Sequence, residues 1–130
     1  MAWNMAESAI TLKALSDMTN MQWRIVELAT SESNACDYAA AGGGYGILFN
    51  EPRAQEAATV VTEGEVRCRA GAAVAIGNLI MCAASGLGGS GWATAATSSA
   101  TGNVLGIARS AAASGSLFTL DMVKQFKQGA

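Results

Sequence analysis

The chain has 130 residues, which suits one domain, and a formal net charge of −2 from 8 basic and 10 acidic residues, with no His. That balance argues against the clustered basic footprint of a nucleic-acid binder, and the missing His excludes Ser-His-Asp, Cys-His and His-ligated metal chemistry. Hydrophobic residues make up 51% of the chain but aromatics only 6%, so at ~25 cal/mol per Å² a core of small side chains stabilises less per residue, and the isolated subunit is expected to lean on association.

In chain order, residues 1–20 differ from the rest. Ala6, Ala9, Ile10, Leu12, Leu15 and Met18 fit a weak amphipathic helix, with Lys13 and Asp17 spaced to pair. The same stretch also reads as an arm ordered only in an assembly. An N-terminal arm over 1–20 is therefore expected ahead of a β domain over 21–130. No basic n-region of a signal peptide opens the chain.

Met21 to Ala29 alternates Met21, Trp23 and Ile25 with polar residues and is expected as a strand, although Met18, Met21, Ile25 and Leu28 also fit a helix. Thr30 to Asn34 is a polar turn, Ala35 to Ala40 a second strand, and Ala41-Gly42-Gly43-Gly44 a turn. Tyr45 to Asn50 is the third strand, with Pro52 just beyond it. Ala57 to Thr62 and Glu65 to Ala70 are expected as a hairpin around Glu63-Gly64. Ala73 to Ile76 and Leu79 to Ala83 flank a turn at Gly77-Asn78. Gly86 to Gly91 is a glycine loop, and Trp92 to Ala100 is polar and small. Val104 to Ala108 and Ser116 to Met122 are the last strands, before a short helical tail at Lys124 to Gln128. Short apolar runs punctuated by Gly, Asn or Ser describe an all-β fold, a small barrel or sandwich.

Ala70 to Ala108 carries no charged residue. The stretch is long enough to raise the question of a membrane span, but Gly71, Gly77, Asn78, Ser85, Gly86 and Gly88 interrupt it and Ala supplies its bulk. No membrane role is expected. The three Cys, at 36, 68 and 82, form no C-x-x-C pair. They are neither a disulfide framework nor a zinc site, and Cys68 reads as a small core residue. Gly42 to Gly46 lacks the Gly-Lys-Ser/Thr ending of a phosphate loop, and Glu51, Glu56, Glu63 and Glu65 read as solvated strand ends. Arg67 and Arg69 lie two apart on one face of a strand and read as a solvated face. No catalytic residues, cofactor or metal are expected.

The order of four strings resembles a known family. They are Gly-Ile-Leu-Phe-Asn-Glu-Pro (46–52), Gly-Glu-Val-Arg-Cys-Arg-Ala-Gly-Ala-Ala-Val-Ala-Ile-Gly-Asn-Leu-Ile (64–80), Val-Leu-Gly-Ile-Ala-Arg-Ser-Ala (104–111) and Gly-Ser-Leu-Phe-Thr-Leu (115–120). Together they resemble the small decoration, or cement, proteins of tailed-phage capsids, over residues 21–122. Gly77-Asn78 stands where that family has Gly-Asp. The resemblance implies a β-barrel-like domain, made in the host cytoplasm, that binds the major capsid protein on the outside of the virion shell as a homotrimer and performs no catalysis. Trp is favoured at interface hot spots. The residues expected at capsid or intersubunit contacts are Trp3, Ile10, Leu12 and Trp92, while Trp23 is expected in the core. A second class stays open: a β-type binding module for a receptor or carbohydrate on a phage tail or fibre, for which Trp92 among Ser and Thr is the pocket candidate.

Overall fold

Among the dipeptides buried at both positions are Ile25-Val26, Ile47-Leu48 and Val60-Val61. Successive residues of a strand point to opposite faces, so a strand buried at both must have protein on each side. That requirement organises the molecule. The chain is described from a computed structural model over residues 6–40, 42–83, 91–96 and 101–127. Its strands there are β1 (Ala6–Ala14), β2 (Ile25–Leu28), β3 (Ala35–Tyr38), β4 (Gly46–Leu48), β5 (Ala57–Arg69), β6 (Leu79–Cys82), β7 (Ala93–Ala95), β8 (Gly102–Ala108) and β9 (Leu117–Lys127).

Strands β1, β3, β2, β4 and β5 hydrogen-bond in that order, and β1 pairs again with β5, which closes a small barrel. The remaining strands continue from the far half of β5 in the order β9, β8, β6, β7. They cover the outside of the barrel wall. The expected all-β barrel is therefore the observed fold. Leu12, Ala14, Met18, Val26, Cys36, Leu48, Ala58 and Val60 fill the barrel. Ile25, Ile47 and Val61 point out of the same wall, and Ile47 is paired across to both of the others. Val66, Cys68, Ile80, Leu105, Phe118 and Leu120 cover them.

β5 serves both cores because it changes face midway. Ala58 and Val60 line the barrel, Val61 faces out, and beyond Glu63 the buried positions become Val66, Cys68 and Ala70. The cause is a bulge. Ala9 lies opposite Val61 and Ser8 opposite Glu63, so Thr62 has no counterpart in β1. The Thr62 hydroxyl is buried and sits within hydrogen-bond distance of Ser8, 3.1 Å from its Oγ and 3.3 Å from its carbonyl oxygen. The expected hairpin at Glu63-Gly64 is thus absent; Gly64, at φ 90°, sits inside a single strand.

Other expectations are corrected as well. The segment assigned to a docking arm supplies β1, paired with β5 from Ala6 to Lys13 and with β3 at Lys13 and Ala14. Its pattern has period two: Leu12 and Ala14 are buried and Ile10 half-buried, while Ala9 and Thr11 are exposed. Ala9 misled the helical reading, because Ala satisfies an apolar template without requiring burial. Lys13 pairs with Glu32, not with Asp17. Met1 to Met5 lie outside the described residues.

The strand expected from Met21 begins only at Ile25, since turns precede it and Trp23 has φ 71°. Trp23 is half-buried, packs on the outer core and meets Phe49 edge-on at 5.3 Å between ring centroids. Ala73–Ile76 contributes only an isolated bridge from Val74 to Ala112. The helical tail is instead strand, since β9 runs to Lys127 paired with β8, with one bulge between Met122 and Gln125. The Gly77-Asn78 turn is present, with the Asn78 side-chain oxygen accepting from the Ala75 N–H at 2.9 Å. Residues 84–90, most of the expected glycine loop, lie outside the described residues.

Candidate interaction surface

Of the four residues expected at contacts, Trp3 lies outside the described residues. Leu12 is buried in the barrel and Ile10 packs against its core from a half-buried position. Trp92, just before β7, is only 5% exposed. It is held where the two layers join. The carbonyl of neighbouring Gly91 accepts from the Ile25 N–H at 2.8 Å, and the Trp92 carbonyl accepts from Ala83 at 2.7 Å. The Arg24 guanidinium lies 4.1 Å from the Trp92 ring centroid, a cation–π stack. The Trp92 Nε1 is buried, with no hydrogen-bond acceptor among the described residues. Burial, and then the charge of Arg69, hold the Arg24 pKa below its ordinary value. The structure therefore uses Trp92 to join β2 to β7 inside one chain.

The open surface lies elsewhere. Three adjoining depressions share Tyr45. One, of about 500 Å³, is lined by Tyr45, Thr62, Glu63, Met122, Val123 and Lys124. The second, of about 270 Å³, continues from Tyr45 past Asn103 and Gln125. The third, of about 260 Å³, reaches Glu27 and Leu28. Val123 is 52% exposed and Leu28 46%, so an apolar side chain marks each end. The Lys124 Nζ donates to the Tyr45 carbonyl at 3.0 Å and lies 4.3 Å from the centre of its ring. Burial lowers the Lys124 pKa, and Glu63 acts in the opposite sense. The Asn103 amide donates to the Gly44 carbonyl at 3.1 Å and braces the Tyr45 side of the trough.

Sequence reasoning placed Tyr45 in a strand and Lys124 in a tail, and gave neither a role. The available signal was weak: a cation seven residues from the start of a closing strand that outlasts its neighbour. The trough has the chemistry of a contact surface. Its side chains are an aromatic ring, a lysine, two carboxylates, a threonine, amides and exposed aliphatics. Among the described residues no group of three or more Cys, Asp or Glu is placed to hold a metal ion.

No protein-family model matches the sequence, and no curated protein sequence does. Among solved structures, the chain is similar to the N base of the head fiber gp8.5 of bacteriophage phi29. The TM-score is 0.66 with 17% identity, over 89% of this chain and 93% of that one. At that identity the likeness establishes a shared fold, spanning nearly the whole of both chains.

Proposed function

We propose that this chain is a structural protein of a phage virion that seats on the outer surface of the assembled head, against the major capsid protein, and stabilises the shell as a homotrimer. The observation that carries the reading is the near end-to-end match to a head-fibre base. The order of strand strings that resembles cement proteins supports it independently. So does a core rich in Ala, Cys and Val, which leaves stability to be gained from association.

Cosedimentation tests this directly. The protein is expected to pellet with assembled heads that lack it and to stay in solution with free coat protein. Heads carrying it should keep their genome at temperatures that empty bare heads. Absence from the pellet would reject the attachment, and equal genome retention would reject the stabilising role. Light scattering on the free protein reads the trimer.

A second reading draws on the same match: the solved neighbour is a fibre base, so the chain would serve as the foot of a projecting appendage that recognises a receptor or carbohydrate. A foot binds heads without changing their heat resistance, so the same pair of measurements separates the two.

A further inference from the structure

β9 is paired on both sides only as far as Met122. Up to that residue it lies between β5 and β8. Beyond it, β9 leaves β5 but stays paired with β8 as far as Lys127, across a bulge that sets Leu105 opposite both Val123 and Lys124. On the vacated side, Val123 to Lys127 have no strand partner among the described residues. β4 shares that side of β5, since β1 occupies the other, and its register covers only Val60 and Val61. Thr62 and Glu63 are therefore left unpaired between β4 and β9. The two strands diverge around them, and the 500 Å³ depression is the wedge between.

An unpaired strand edge presents main-chain donors and acceptors, and what satisfies them is another extended chain. The edge also carries charge. Lys124 stands in the wedge. A second copy's β9 paired here would bring Lys124 against the Lys124 of that copy, which disfavours self-pairing. A carboxylate opposite Lys124 has the reverse effect, while Glu63 occupies the β5 side of the wedge.

We propose that this edge accepts, by strand addition, an extended segment of a different protein that carries an acidic residue opposite Lys124. Val123, 52% exposed, gives the next residue of that segment an apolar contact. The occupant adds a strand beside β9, with Tyr45 forming the far wall.

The test uses the full chain, labelled with nitrogen-15, and three nine-residue peptides of alternating Val and Thr that differ only in carrying two Glu, two Lys or two Ser. The Glu peptide is expected to shift the amide resonances of Val123 to Lys127 and slow their hydrogen exchange. It should bind about two- to fivefold more tightly than the Lys peptide, the size of an exposed ion pair. Lys124→Glu, an exposed substitution, should reverse that ranking and leave distant resonances unchanged. Three peptides that bind equally would overturn the charge assignment. No change at Val123 to Lys127 with any peptide would overturn the site. Shifts of the same amides with protein concentration alone would make the occupant a second copy and overturn the proposal.

Discussion

Ile47 and Leu48 are neighbours in β4 and neither has any exposed surface, yet they belong to different cores. Leu48 faces the inside of a barrel that is hydrogen-bonded all the way round, with β1 closing onto β5. Ile47 faces a layer whose far margin, among the described residues, closes back just beyond β5 through one parallel bridge, Ala70 to Ala93, and one hydrogen bond of 2.7 Å, from the Gly71 N–H to the Ala93 carbonyl. The barrel is complete within its own five strands. The layer is not, because Ile25, Ile47 and Val61 of the barrel wall form its floor. Damage to the barrel therefore reaches both cores, whereas damage to the layer need not reach the barrel interior.

The most drastic way to break this arrangement is to remove β1. Deleting residues 1–14 takes Leu12 and Ala14 from the barrel and opens both seams that β1 makes. No folded protein is expected, by far-UV circular dichroism and by amide dispersion. A folded product would mean that β1 is dispensable and that the barrel closes without it.

Ile47→Ala and Leu48→Ala sharpen the comparison at adjacent positions. Each is expected to cost about 2–5 kcal/mol in urea unfolding, the range for truncating a buried Leu or Ile. Because both residues sit on one three-residue strand, each variant should still unfold in a single transition. Two transitions in Ile47→Ala, against one in Leu48→Ala, would show the layer detaching on its own.

Glycines give a smaller effect and separate crowding from backbone strain. A methyl group on Gly46 would lie 2.5 Å from Val60 Cγ1 and 2.5 Å from the Val61 carbonyl oxygen. Gly46→Ala must therefore push β4 off β5, at about 1–3 kcal/mol. Gly77 has open space around its Cβ position but φ 89°. Gly77→Ala should cost about 1 kcal/mol, from backbone strain in a turn remote from the shared wall. Equal losses would mean that the wall relaxes more readily than its contacts suggest.

The thiols give the smallest effect. Cys36 lies in the barrel core, whereas Cys68 and Cys82 lie in the layer. All three are free and buried. Burial pushes Cys36 and Cys82 up to about 11 from an ordinary 9.0, and raises Cys68 as well. A raised folded pKa favours the protonated thiol. Its contribution is thus fully present below pH 9 and is lost as pH rises from about 9 to 11. The melting temperature should fall across that window, and less steeply in Cys36→Ala and Cys82→Ala. Native protein at pH 8 should resist thiol reagents. Labelling of Cys68 and Cys82 ahead of Cys36 under mild denaturant would show that the layer opens before the barrel.

Much of the fold was legible where local chemistry decides it. Ala35–Tyr38, Gly46–Leu48, Leu79–Cys82 and Gly102–Ala108 carry β-branched or apolar runs between glycines and polar turns, and all are strands. The Gly77-Asn78 turn could be read because Asn caps its own backbone. What was not legible depended on partners far along the chain. Glu63-Gly64 has turn chemistry, but the pairing of Ser8 and Ala9 makes it part of a bulged strand. Lys124 to Lys127 would suit a helix in isolation, and β8 holds it extended. The trough at Tyr45 arises from two strands diverging, which no single segment encodes. Trp92 has a contact residue's type, but the Arg24 stack and the Ile25 to Gly91 hydrogen bond, set by distant chain segments, show that it faces inward.

The bulged strand also sets an order of events. β5 meets β1 some fifty residues upstream and β9 some fifty residues downstream. When synthesis has passed Arg69, every strand of the barrel exists, but β9, β8, β6 and β7 do not. Until they arrive, Ile25, Ile47 and Val61 on the outer wall, and Val66 and Cys68 beyond the bulge, face water. An emerging chain would thus carry a finished inner shell with a bare apolar coat, the kind of species that aggregates or recruits chaperones. Refolding of the full chain, dominated by such distant pairings, is expected in the slow range of milliseconds to seconds. A hydrophobic dye present during refolding should brighten as the inner shell closes and dim as β9 docks.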